Sequence, residues 1–154
     1  MKKKKMKTTK RFDLAIQKLY QAFHNNTLNP DDCKLCAVGN ILDNNDNWKH
    51  LTDKHGSTKL NYLGKLHQNL GRRFNGYSPL ELLFIEKAFL KGCGYKGFSK
   101  DNRLYRPENL TDKNTLFNGL NSVVTYLCEL DGIVDIMDCS KLFKFESQSL
   151  QCQN

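Results

Sequence analysis

Two cysteines stand three residues apart in the stretch NPDDCKLCAVGNIL at residues 29–42. Cys33 and Cys36 fit three chemistries. Two thiolates supply half of a tetrahedral zinc site, which closes with two further nitrogen or sulfur ligands. At a helix start, unpaired N–H groups and the helix dipole favour a thiolate, so that Cys33 would attack and Cys36 resolve in a dithiol exchange. Alternatively, both are small apolar side chains in a core. Asp31 and Asp32 weigh against the exchange, because nearby negative charge raises a thiol pKa. The lack of a βαβ pattern weighs against it too.

The chain holds four histidines that a metal site would draw on. His24 closes the first expected helix, nine residues before Cys33, and His67 lies on an apolar helical stripe, so these two are the expected ligands beside Cys33 and Cys36. His50 and His55 are the alternatives, in the spacing Cys33-x2-Cys36-x13-His50-x4-His55. That spacing approaches a zinc finger, but Asn40 and Asn47 occupy the finger's apolar positions, and the dithiol opens a helix where a finger needs a hairpin. A zinc ion here would be structural; an iron–sulfur cluster would carry electrons. No phosphate loop, Gly-x-Gly-x-x-Gly, Gly-x-Ser-x-Gly or His-Glu-x-x-His is found, so the expectation is an accessory protein without catalytic turnover of its own.

Charge suggests a second function. The net charge of +8 is concentrated at the start, where Lys2, Lys3, Lys4, Lys5, Lys7, Lys10 and Arg11 stand without an acid. These seven of the 24 basic residues leave 17 against 16 acids in the rest. A solvated, disordered tail over residues 1–10 is expected, able to attract nucleic acid or an acidic partner in a salt-dependent way. Arg72 and Arg73, set between glycines and aromatics in LGRRFNGY, either grip phosphate or a base, or complement a helix C-terminus. Residues 87–106 hold six Lys or Arg against one acid, a patch if the fold gathers them.

Helices must position all of this. Phe12, Ala15, Ile16, Leu19, Tyr20 and Phe23 recur with helical period. Asn29 and Pro30 predict a second helix over 30–42. A third is expected over 58–72, with Leu60, Leu63, His67 and Leu70 on one face. Ser78-Pro79-Leu80-Glu81 is a capping box opening a fourth, with Leu80, Leu83, Phe84 and Ala88 inward, ended by Gly92 and Gly94. A fifth runs over 112–131 with Leu116, Leu120, Val123, Val124, Leu127 and Cys128 in its stripe and Gly132 as its stop. Cys93 is read as part of a packed turn. No hairpin signal is seen, residues 95–111 read as a loop, and the apolar residues of 133–145 add a final turn or helix. The fold expected is all-α: one bundle of five to six helices over residues 11–146, with a flexible tail at 147–154. No apolar run is long enough for a membrane span and no h-region follows the lysines, so a soluble cytoplasmic protein with reduced cysteines is expected.

The runs AFHNNTLNPDDCKLCAVGNIL, NWKHLTDKHGS, LGRRFNGYSPLELL and TLFNGL resemble a group of short bacterial proteins that share a name with the flavin- and NADH-binding component of Na(+)-translocating NADH-quinone reductase. The resemblance covers residues 11–145 and implies iron–sulfur or redox involvement. The far larger reductase component binds its cluster through Cys-x5-Cys-x2-Cys. Here position 27 is Thr and the cysteine after Cys36 is Cys93, so the dithiol alone matches, and no flavin- or nicotinamide-binding residue carries over.

Overall fold

The computed structural model describes residues 9–98, 104, 105 and 107–133. Five α-helices dominate: α1 (Lys10–His24), α2 (Ala37–Ile41), α3 (Tyr62–Asn69), α4 (Pro79–Gly92) and α5 (Lys113–Leu130). A 3-10 helix, Asn47–Leu51, follows α2. Residues 1–8 of the expected basic tail, Lys2 to Lys5 included, lie outside the described residues, as do Cys139, Cys152 and the apolar segment beyond Ile133, whereas Thr9 and Lys10 of that tail are the N-cap and first residue of α1.

Helix α4 is the centre of the bundle, packed on α5 most extensively and also on α2, α3 and the 3-10 helix. Its capping box forms as expected, with Ser78 Oγ accepting from Glu81 N and Glu81 Oε1 from Ser78 N. The buried face is only partly the expected one, with Leu83 inside and Leu80 and Ala88 half-buried. Leu82, Leu83, Ile85, Glu86, Phe89 and Leu90 point inward, whereas Phe84 is 37% exposed. A helix covered on several sides has no single narrow stripe to read. By contrast, α1 buries Phe12, Ala15, Ile16, Leu19 and Phe23 and leaves Tyr20 largely outside. Helix α5 buries the expected six residues and stops at Gly132, whose φ of 68° is the left-handed conformation of a C′ glycine.

Two elements depart from expectation. The second helix starts at Ala37, not Pro30, because local side-chain bonds hold residues 29–36 in turns. Asn29 Oδ1 accepts from Asp31 N at 2.9 Å and Asp32 Oδ1 from Lys34 N at 2.9 Å, a competition with the helical pattern that Asx residues commonly win. Helix α3 is shorter than 58–72 and turns Leu63 and Leu70 outward. It packs instead through Gly64, where a Cβ would stand 2.3 Å from the Leu51 carbonyl oxygen. A small antiparallel pair, β1 (Lys96–Phe98) with β2 (Leu104–Tyr105), lies in the stretch read as a loop. Strands of three and two residues are too short to display an alternating pattern.

Candidate functional site

The turn at 30–36, the loop after the 3-10 helix and the middle of α4 meet at Cys33 and Cys36. Cys36, with 0% exposure, is the N-cap of α2, and its Sγ accepts from Gly39 N at 3.3 Å. The same sulfur lies 3.6 Å from the Cys33 carbonyl oxygen, which also accepts from Trp48 Nε1 at 3.0 Å. Only glycine fits at position 39, because a Cβ would come within 2.3 Å of that carbonyl oxygen. The dithiol segment is thereby pressed onto the first turn of α2.

His55 reaches this turn from the loop. Its Nδ1 stands 3.5 Å from Cys33 Sγ, while Nε2 stands 3.2 Å from the Pro30 carbonyl oxygen and 3.4 Å from Glu86 Oε2. Two oxygen acceptors face Nε2, so in the neutral ring Nε2 carries the proton and Nδ1 offers its lone pair to the sulfur. The Trp48 ring lies 6.1 Å away, centroid to centroid, and flanks the imidazole.

Glu86 is the unexpected member. Its side chain is 1% exposed, its Oε1 accepts from Val38 N at 3.4 Å, and its Oε2 lacks a well-aligned donor. Burial pushes its pKa up to about 8, opposed by the bonds with Cys36 and Val38 N. Burial first, and the Glu86 charge next, push the Cys33 thiol up to about 11 and Cys36 well above the ordinary thiol range. Three potential anions therefore share one small volume with a single imidazole.

The other predicted ligands stand apart. His24 is exposed and packs on the rings of Tyr20 and Phe23; half-buried His67 lies edge-on to Phe74, 6.0 Å between centroids. His50 is exposed on the 3-10 helix. Of the four histidines, the structure brings His55 alone into contact with the dithiol segment. Among the described residues no three His, Cys, Asp or Glu side chains are already grouped to hold a metal ion. Arg72 is exposed at the end of α3, and Arg73 donates to the Gly76 carbonyl oxygen at 3.1 Å. Cys128 is a core residue as expected, and Cys93 is packed at the end of α4.

Comparisons with family models, curated proteins and solved structures find no match to this chain. No helix among the described residues is long and apolar enough to cross a membrane.

Glu86 left a weak trace in the sequence: it is the one acid amid the apolar residues 82–90. His55 stood in the sequence only as an alternative ligand, by its zinc-finger-like spacing from the dithiol, since its approach to Cys33 depends on the path of the intervening loop.

Proposed function

We propose that the protein holds one zinc-class ion between Cys33, Cys36 and His55, and that it works as an accessory module, not as an independent catalyst. One observation carries this reading: His55 spans Cys33 and Glu86 with opposite ring nitrogens. A metal-ligating histidine commonly donates its second N–H to a backbone carbonyl or a carboxylate, which fixes the tautomer and strengthens the ligand; here the Pro30 carbonyl oxygen stands 3.2 Å from Nε2, with Glu86 Oε2 nearby at 3.4 Å. The 3.5 Å between Cys33 Sγ and His55 Nδ1 matches the edge expected of a tetrahedral site with metal–sulfur and metal–nitrogen bonds of about 2.3 and 2.0 Å. Cys36 Sγ now accepts from Gly39 N at 3.3 Å as the cap of α2, and joining the other two ligands would require it to turn from that position.

Electrostatics favours a cation over the other thiol chemistries. A nucleophilic or exchanging cysteine sits in electropositive surroundings, whereas Glu86, Asp46 and Asp32 all push the Cys33 pKa up. A soft divalent ion would reverse that effect by binding the thiolates directly. It would also tie the 30–36 turn and the His55 loop to α4, a structural role in keeping with the sealed positions of Cys36 and Glu86. An iron–sulfur cluster fits less well, because two of the described thiols, Cys93 and Cys128, are taken up in the packing of α4 on α5.

The test is elemental analysis of untagged protein, with cobalt substitution as an independent readout. The expected result is about one equivalent of metal per chain and a sulfur-to-cobalt charge-transfer band, both lost in Cys33→Ser and His55→Ala. Metal far below one equivalent, unchanged by Cys33→Ser, would discard the reading.

A further inference from the structure

Outside its first eleven residues the chain is almost electrically balanced, yet four lysines from separate stretches meet around one cleft of about 670 Å³. Lys59 comes from the loop before α3, Lys87 and Lys91 from the outer side of α4, and Lys96 from β1. The buried Leu90 and Tyr95 line this cleft, and among the described residues no acid lines it. Some bases elsewhere pair with acids, Lys18 with Asp43 and Lys49 with Asp46, while others such as Lys34 and Lys65 stand singly among the described residues; the cleft differs in gathering four. None of the four cleft lysines enters an ion pair among the described residues. Lys87 and Lys91 also stand four apart on one helix, where like charges repel.

We propose that this cleft binds a nucleotide-sized phosphate ester, its phosphates held among Lys59, Lys87, Lys91 and Lys96 and its apolar body resting on Leu90. A lone carboxylate would leave most of that positive charge uncompensated, whereas a di- or triphosphate matches it. Lysine serves phosphate well as a compact point charge with three donors. The volume is typical of small-molecule sites, and the apolar floor gives the organic portion of the ligand a place that inorganic phosphate would not use. The sequence shows the basic run at 87–106; what it conceals is that Lys59 joins Lys87, Lys91 and Lys96 from another part of the chain.

The experiment is calorimetric titration of the full chain with ADP, with a chelator present throughout so that the cysteine–histidine site plays no part. Saturable binding at low salt is expected, weakening as salt rises. The double variant Lys87→Gln/Lys91→Gln should lose at least about tenfold in affinity, while a charge-matched control outside the cleft lining, Lys49→Gln/Lys65→Gln, should stay within about twofold. All four side chains sit at the surface of the bundle, so unchanged melting temperatures are expected for both variants. Inorganic pyrophosphate should bind more weakly than ADP. Absence of saturable ADP binding would overturn the proposal. Equal losses in the two double variants would overturn it as well, since attraction would then be diffuse. Pyrophosphate binding as tightly as ADP would remove the role given to Leu90 and overturn the ester assignment.

Discussion

Arg11 and Asp131 clasp the start of the first helix to the end of the last across 120 positions of sequence. Arg11 Nε donates to Asp131 Oδ1 at 3.0 Å, and a second guanidinium nitrogen donates to the same carboxylate. The remaining nitrogen donates to the Gly76 carbonyl oxygen at 2.7 Å and to Glu81 Oε1 at 3.1 Å, while the guanidinium carbon lies 4.5 Å from the centre of the Tyr77 ring. Arg11 therefore belongs to the folded body, although the sequence counts it with the basic start. Thr9, the N-cap of α1, completes the set by donating to Asp131 Oδ2 at 2.5 Å.

That clasp makes stability depend on pH in a defined direction. Burial pushes the Asp131 pKa up, but the Arg11 and Thr9 hydrogen bonds and the guanidinium charge outweigh it, and the carboxyl is held below its usual range. A carboxylate with a depressed folded pKa stabilises fully above the unfolded value of about 3.9, and the contribution is lost as pH falls through the folded value. Asp131→Asn should therefore cost about 2–3 kcal/mol at pH 7, since the Asp131 side chain is only 3% exposed and Arg11 would lose its partner. Denaturant titration across pH checks this. The gap between wild type and variant should shrink steadily below pH of about 4, and a gap independent of pH would mean that charge is not the cause.

A second prediction concerns the line along which α4 meets α5. A Cβ on Gly119 would lie 2.4 Å from Cys93 Sγ and 3.0 Å from the Phe89 ring, and one on Gly92 would lie 2.6 Å from the Asn118 carbonyl oxygen. The helices approach through these two glycines. Gly119→Ala should destabilise by about 1–3 kcal/mol through overpacking. Because the closest atom is a side-chain sulfur, adding Cys93→Ala should recover part of the loss, and the double-mutant cycle measures that coupling. Strict additivity of the two changes would show that they do not meet.

Legibility in the sequence followed how many sides of an element are covered. Helices α1 and α5 each bury one stripe, and Leu19, Leu120 and Val123 could be assigned from spacing alone. The capping box at Ser78 and Glu81 was equally plain, being a local exchange of two bonds. What failed had two causes, local side-chain bonds that compete with a helix and contacts distant in sequence. Pro30 advertises a helix that the Asn29 and Asp32 side chains pre-empt, so that Cys36 becomes the true cap. His67 sits on a tidy stripe that points to Phe74 and not to the dithiol. The cysteine pair was visible from the start, and His55, 22 residues from Cys33, stood as an alternative ligand by its spacing, whereas Glu86, 53 residues away, was not separable from other polar residues by local pattern.

Thiol accessibility supplies a third prediction. Among the described cysteines, Cys36, Cys93 and Cys128 are buried and Cys33 is intermediate. Brief alkylation of native, metal-free protein at neutral pH should label Cys33 before the other three, slowly because burial and the Glu86 charge keep its thiol protonated. Peptide mass mapping reads the order. Added zinc should protect Cys33, and prompt labelling of Cys36 in the native state would contradict its sealed N-cap position.

The last prediction separates a ligand from the group that orients it. Cys33 and His55 face each other, whereas Glu86 meets the far side of the imidazole, so removing its charge should weaken an ion at the site without removing a donor to it. Glu86→Gln keeps the shape beside His55 Nε2 but cannot ionise, whereas the Glu86 carboxyl, whose pKa burial raises to about 8, can release its proton when a cation arrives and so favour the bound ion. Zinc affinity should fall by about 10–100-fold, as is typical when an outer partner of a ligating histidine is replaced. His55→Ala should fall further, because a donor is lost, and combining it with Glu86→Gln should add little, since the carboxylate acts through the imidazole. Competition with a chromophoric chelator measures all three variants. If Glu86→Gln bound zinc as tightly as wild type while His55→Ala did not, the carboxylate would be a buried acid near the site with no part in tuning it.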